Sequence, residues 1–159
     1  MERKLKNYLE KNNVKYVLHK HPAVFTVKES KRLKKNIPGL NCKTLFLKDN
    51  KRKFYLVGMP ADKRLDNKKL RAHLNIRKIR FGTVEELKDK VNLTPGSVSI
   101  FGMIYINSYN IKLILDKEVW ESDVVGFHPN INTETLEIKH EDLEKFYNSL
   151  DCEKEVIEL

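Results

Sequence analysis

Three short stretches of this 159-residue chain carry residue types that suit chemistry as well as they suit packing. In the first, Cys42-Lys43-Thr44, a lysine stands at the mouth of the apolar run Leu45-Phe46-Leu47. Such an ammonium either snorkels to water along its methylene stem or is held at the edge of a core for electrostatic work. The second, Pro95-Gly96-Ser97-Val98-Ser99, is a small-residue loop offering backbone amides and hydroxyls to an incoming ligand. The third, Gly126-Phe127-His128-Pro129 followed by Asn132-Thr133, ends an apolar strand in a His-Pro turn with polar groups just beyond. Taken singly, each also reads as an ordinary loop or turn.

Other reactive side chains point to blander roles. A cation beside a thiol lowers its pKa, but neighbouring strand residues face opposite ways, so Lys43 would not sit over Cys42. A buried, inert Cys42 is the expectation. His19 and His21 would share a strand face, yet no third ligand has matching spacing and a metal site needs three or four. The two cysteines, Cys42 and Cys152, form no CxxC or Cys/His cluster, so no structural zinc and a reducing compartment, the cytoplasm, are expected. No motif in the chain calls for a cofactor, and none is expected.

The elements that would position these groups can be read in order. Leu5, Tyr8 and Leu9 predict an amphipathic helix over 2–12, and VKYVLHKH a strand with Val14, Tyr16 and Leu18 on one face. Thr26 and Glu29 match a capping box before a basic helix reaching about residue 35 and ended by IPGL. Residues 42–48 and 53–59 predict a β-hairpin about the polar turn DNKR. Asp66 can cap a second basic helix, 67–74, followed by IRKIRF as a strand; Thr83 and Glu86 repeat the capping box before a helix ending near Val91. LTPGSVSIFGMIY reads as a loop leading into a strand, KLILD, VVGF and 133–138 as strands, and HEDLEKFYNSL as a closing helix. With no regular βαβ alternation, the pattern predicts an α+β fold on a mixed, mostly antiparallel sheet, as one domain over 1–159.

Charge narrows the partner. Residues 1–80 hold 24 Lys and Arg against 6 Asp and Glu, whereas the remainder holds 7 against 16. Asymmetry of this size suggests a polyanion, although a lysine-rich solvated surface is the competing reading. The runs Lys31-Arg32-Leu33-Lys34-Lys35, Lys51-Arg52-Lys53 and Lys68-Lys69-Leu70-Arg71 could each meet phosphates, and Lys63 and Arg64 join them as candidate tRNA contacts. The aromatic residues do not form the pattern of an RRM sheet. No stretch approaches the ~20 apolar residues of a membrane span.

Taken together, HPAVFTVKES, IPGLNCKTLFLKD, MPADKRLD, LTPGSVSIFG, LILD and GFHPNINTET resemble, in this order, the trans-editing prolyl-tRNA deacylases. That family is related to the YbaK proteins and to the editing insertion of bacterial prolyl-tRNA synthetase. The resemblance covers roughly residues 16–150. It implies a sheet curled into a barrel-like core with flanking helices, and hydrolysis of the ester joining a wrong amino acid, alanine in the nearest branch, to tRNA(Pro). Cysteinyl- or seryl-tRNA deacylation, or a non-catalytic tRNA-binding role, are the alternatives. The implied partners are the acceptor end of mischarged tRNA(Pro) and prolyl-tRNA synthetase, not DNA. By the same resemblance Lys43 is the key active-site residue and His128 joins it, with Thr44, Gly96, Ser97, Ser99, Gly126, Phe127 and Asn132 around the substrate. Ile100 and Gly126 differ from the family's usual Pro and Asn, at positions expected near the amino-acid pocket.

Overall fold

The segments LNCKTLFLKD and FYLVGMP, rich in β-branched and aromatic residues, become the two longest strands, β2 (Leu40–Asp49) and β3 (Phe54–Pro60). Asp49 closes the hairpin between them, its Oδ1 accepting the amides of Lys51 and Lys53, while Arg52 takes a positive φ of 64°. The structure, a computed structural model, describes residues 1–105 and 110–159. The other strands are β1 (Val17–Lys20), β4 (Ile79–Phe81), β5 (Ile111–Asp116), β6 (Val124–Phe127), β7 (Glu134–Lys139) and β8 (Lys154–Ile157).

Together they form one eight-stranded sheet in the order β1-β7-β6-β2-β3-β5-β8, with β4 attached to β2. Pairing is antiparallel for β1–β7, β6–β7, β2–β3 and β2–β4, and parallel for β2–β6, β3–β5 and β5–β8. The mixed, mostly antiparallel sheet predicted by the sequence is therefore present. It curls without closing, because β1 and β8 remain edges.

Side chains alternating along β3 and β5 serve two cores. Phe54, Leu56, Leu113 and Leu115 join one face with Leu5 and Leu9 of α1 (Arg3–Lys11) and Leu143 and Phe146 of α6 (His140–Ser149). Tyr55, Val57, Met59 and Ile114 join the other with Leu70 of α3 (Asn67–Leu74). This burial on both faces explains why the strands read as continuous apolar runs.

The predicted caps form, with one difference. Asp66 accepts the Lys69 amide at 3.0 Å, and Thr83 with Glu86 completes a reciprocal capping box at α4 (Val84–Val91). Thr26 accepts the Glu29 amide at the start of α2 (Val27–Leu33), but Glu29 returns its bond to Phe25 N rather than to Thr26 N. The expected stripe Val14, Tyr16, Leu18 does not become one buried face, because β1 begins at Val17 and is an edge strand with Leu18 exposed. Residues 100–104, read as passing from loop to strand, instead form a 3₁₀ helix capped by Ser99. Neither α5 (Lys117–Glu121) nor β8 was legible in the sequence. Among the described residues no helix is long and apolar enough to cross a membrane.

Candidate active site

The two edges of β2 are treated differently, and the site follows from that. One edge pairs with β3 from Cys42 to Lys48. The other pairs with β6 only at Leu40 and Asn41 and with β4 only from Leu47 to Asp49. Between these neighbours the strand leaves a gap, and a pocket of about 200 Å³ opens there. Cys42, Lys43 and Thr44 line its floor, Thr26, Val27 and Ser30 bring in the start of α2, and Gly96, Phe127 and His128 close the opposite side. A larger groove of about 550 Å³ continues from the pocket, sharing Val27, Lys43 and Ala61 with it and running past Lys63, Arg64 and Arg80.

Lys43 lies where the pocket meets the groove. Partial burial holds its ammonium below the usual lysine range, an effect that Asp62 opposes from a distance. No carboxylate among the described residues lies within ion-pair reach of Nζ. Beside it the buried Thr44 Oγ1 has no hydrogen-bond partner. The Lys43 ammonium, unpaired at the pocket, is a group to which a ligand can supply the missing contact.

His128 is held on both sides. Its Nδ1 lies 2.9 Å from the carbonyl of Glu134, which can only accept, so Nδ1 carries the proton. Nε2 is then an acceptor and faces Lys34 Nζ at 3.4 Å. Burial, together with the Lys34 charge, pulls the imidazole down to about 4, so it is neutral at physiological pH. Lys34 is only 5% exposed and is pulled down to about 8 by burial. The sequence reading offered it only as one cation of the phosphate-meeting run Lys31-Arg32-Leu33-Lys34-Lys35, whereas its burial against His128 turns it inward. The signal was its place four residues after the buried Ser30, on the inward face of α2.

The remaining residues nominated from the sequence divide. Thr44, Gly96 and Phe127 line the pocket; Ser97, Ser99, Gly126 and Asn132 do not. Ser99 is fully buried, donating to the His128 carbonyl at 2.5 Å and accepting from Phe101 N, so it fixes the turn that carries the imidazole. Asn132 donates to the Val24 carbonyl at 3.3 Å and holds the segment that forms one wall. Ser97 donates its amide to Thr94 within the loop. Gly126 lies inside β6, paired with Asn41, and the buried Ile100 packs near Gly58, so neither departure from the family pattern reaches the pocket. Cys42 is buried, its thiol pushed far up by desolvation, as expected for an inert residue. His19 pairs with Glu137, and His21 with Thr135 and the Pro22 carbonyl.

The nominated cations also divide. Arg64 and Lys63 line the groove, Lys63 tethered to Asp116 at 2.8 Å. Lys51 and Arg52 stand on the hairpin turn, which Asn50 ties to the amides of Arg77 and Lys78. Lys68 and Lys69 are exposed on α3, whereas Arg71 turns back to the Arg77 carbonyl and closes the loop.

A small pocket with an unpaired cation thus opens into a basic groove. Comparisons with known proteins give the family. Residues 21–146 match the aminoacyl-tRNA editing domain, and the chain belongs to that family. It is similar to the prolyl-tRNA editing protein ProX of Acetoanaerobium sticklandii, 32% identical over 86% of this chain and 84% of that one. It is also similar to the prolyl-tRNA synthetase associated domain-containing protein 1 of Danio rerio, 28% identical over 92% and 80%. A crystal structure of a candidate trans-editing enzyme for prolyl tRNA synthetase shares the fold, with TM-score 0.76 at 18% identity over 100% of this chain and 98% of that one. The chain is thus an aminoacyl-tRNA hydrolase, cleaving a carboxylic ester.

Proposed function

We propose that this enzyme hydrolyses the aminoacyl ester of mischarged tRNA(Pro), with alanyl-tRNA(Pro) as its substrate, in the cytoplasm where prolyl-tRNA synthetase makes that error. The observation that carries the reading is the unpartnered Lys43 ammonium at the junction of a 200 Å³ pocket and a basic groove. The amino acid enters the pocket and the tRNA end follows the groove, which brings the ester bond beside Lys43. Water attacks the carbonyl carbon and builds a tetrahedral oxyanion, which Lys43 stabilises from a partly dry position. Collapse expels the ribose oxygen, which takes a proton, leaving free amino acid and deacylated tRNA.

The neutral His128, with Lys34 behind it and Ser99 holding its carbonyl, acts here as a fixed wall rather than as an acid. A pocket of this size favours a small side chain, and such a second sieve is useful because a few missing methylenes give only ~1–3 kcal/mol of discrimination in the synthetase itself.

The test is release of labelled amino acid from alanyl-, cysteinyl-, seryl- and prolyl-tRNA(Pro). Rapid loss of alanine with prolyl-tRNA(Pro) intact is expected. Preferred loss of cysteine or serine would reassign the substrate, and no loss from any of the four would overturn the proposal.

A further inference from the structure

Among the described residues six large apolar side chains are exposed; Phe25 and Val27 line the pocket just described, Val27 and Phe81 the groove, and Val84 joins Phe81 at an adjoining hollow that shares Thr44 and Gly96 with the pocket. Phe25 and Phe81 are 71% and 67% exposed. Leaving two phenyl rings in water, one at the pocket and one at the groove that continues from it, is unfavourable by the area they present, and grouped exposure of this kind marks a binding surface.

Both rings are carried on backbone that the local fold holds. Phe25 stands on the segment clipped by Asn132, over Gly96, where an added Cβ would lie 3.5 Å from Phe25 Cδ1. Phe81 pairs with Leu47 across β4 and β2. The chain after it is pressed so closely on Phe46 that a Cβ on Gly82 would overlap that ring. The groove below Phe81 is lined by Lys43, Lys63, Arg64 and Arg80 against the single acid Asp62, and neither Arg64 nor Arg80 has a carboxylate partner among the described residues. Flat apolar faces interleaved with unpaired guanidinium groups fit single-stranded nucleic acid, whose bases stack while its phosphates meet cations.

We propose that Phe25 and Phe81 are stacking platforms for the unpaired 3′-terminal nucleotides of the substrate tRNA. Phe25, at the pocket itself, takes the terminal base. Phe81 takes the base before it, and Arg64 and Arg80 meet the intervening phosphates. The inference rests on the proposed tRNA substrate and adds the means by which the acceptor end is gripped without reading the rest of the tRNA.

Single-turnover deacylation as a function of enzyme concentration, on whichever charged tRNA(Pro) the wild type hydrolyses, tests it with Phe81→Ala, Phe81→Leu and Phe81→Trp. Binding of uncharged tRNA(Pro) and of a short CCA-ended single strand is measured alongside. Removing the ring should raise the half-saturating concentration about 10-fold, far more than it lowers the maximal rate. Phe81→Trp should restore it, and Phe81→Leu, equally apolar but without a π face, should not. Tight binding by Phe81→Ala, or full rescue by leucine, would overturn the proposal. So would an alanine variant that binds RNA normally but no longer associates with prolyl-tRNA synthetase, since the surface would then belong to a protein. If the wild type deacylates nothing, the functional reading fails separately, and the RNA titrations still decide whether the rings stack on nucleotides.

Discussion

Two lysines near the pocket are buried to different depths, and of the two Lys43 lines the pocket. Lys34 is the deeper, with a folded pKa of about 8 against an ordinary 10.5. Between those values the folded chain has released a proton that the unfolded chain still holds, so stability rises with pH through that window. The charged form costs on the order of 3 kcal/mol at neutral pH. Lys34→Met should therefore be more stable than wild type at pH 7, with the difference closing as pH rises from about 8 to 10.5. Urea unfolding of both proteins at pH 7 and pH 10 reads this directly, and a pH-independent difference would contradict it. His128 works at the other end of the scale. Its folded value of about 4 lies below the ordinary 6.5, so stability falls as pH drops through that interval, and His128→Asn should lack this component of the loss. Ser99→Ala leaves the His128 carbonyl buried without its donor and should cost about 1–3 kcal/mol in the same unfolding assay. Lys43, Thr44 and His128 were legible because their motifs name them. Lys34 was hidden in a charge run, and Ser99 looked like a ligand hydroxyl because burial cannot be seen in a loop sequence.

At the scale of elements, everything depends on how β2 is shared among its neighbours. Its β6 pairing is only two residues long and begins beside Gly39, which has φ 92° and no room for a side chain: an added Cβ would lie 2.5 Å from the Val124 carbonyl oxygen. Gly39→Ala should destabilise the protein by at least about 2 kcal/mol. It should also lower deacylation by pushing β6, and with it Phe127 and His128, away from Lys43. A lower urea midpoint with a rate unchanged after correction for the folded fraction would separate the gap from the chemistry and contradict this account. The β2–β3 hairpin and the helix caps could be read from the sequence because they are local, set by alternation and by side chains three residues apart. The parallel pairings of β2 with β6 and of β5 with β8 could not. They join segments far apart in the chain, and the short polar strand KEVI carries no alternation that marks it. The gap that makes the pocket is a product of those long-range pairings, so the pocket itself was invisible even where its residues were named.

For the whole molecule, the charge asymmetry becomes a surface with a direction. The groove cations lie near Lys43, and the turn bearing Lys51 and Arg52, tied to Arg77 and Lys78, lies about 20 Å away along β2. A polyanion anchored at the pocket would reach that turn with its backbone, which makes affinity depend on salt. Binding of tRNA should weaken linearly in log–log terms as salt rises, and replacing Lys51 and Arg52 together by Ala should reduce the slope by about 1–2 while weakening every tRNA alike. Fluorescence titrations from 50 to 200 mM salt (roughly the range in which such terms are large) check this, and a salt-independent affinity would contradict it. The central claim is that Lys43 stabilises the charge developed as the ester is cleaved. Its most direct test is single-turnover deacylation of alanyl-tRNA(Pro) by Lys43→Ala at saturating enzyme, with folding and tRNA affinity measured on the same preparation. The account predicts a maximal rate lower by about 100-fold or more in a folded protein that still binds tRNA. A variant that binds and cleaves at the wild-type rate would show that Lys43 stands at the pocket without serving the reaction.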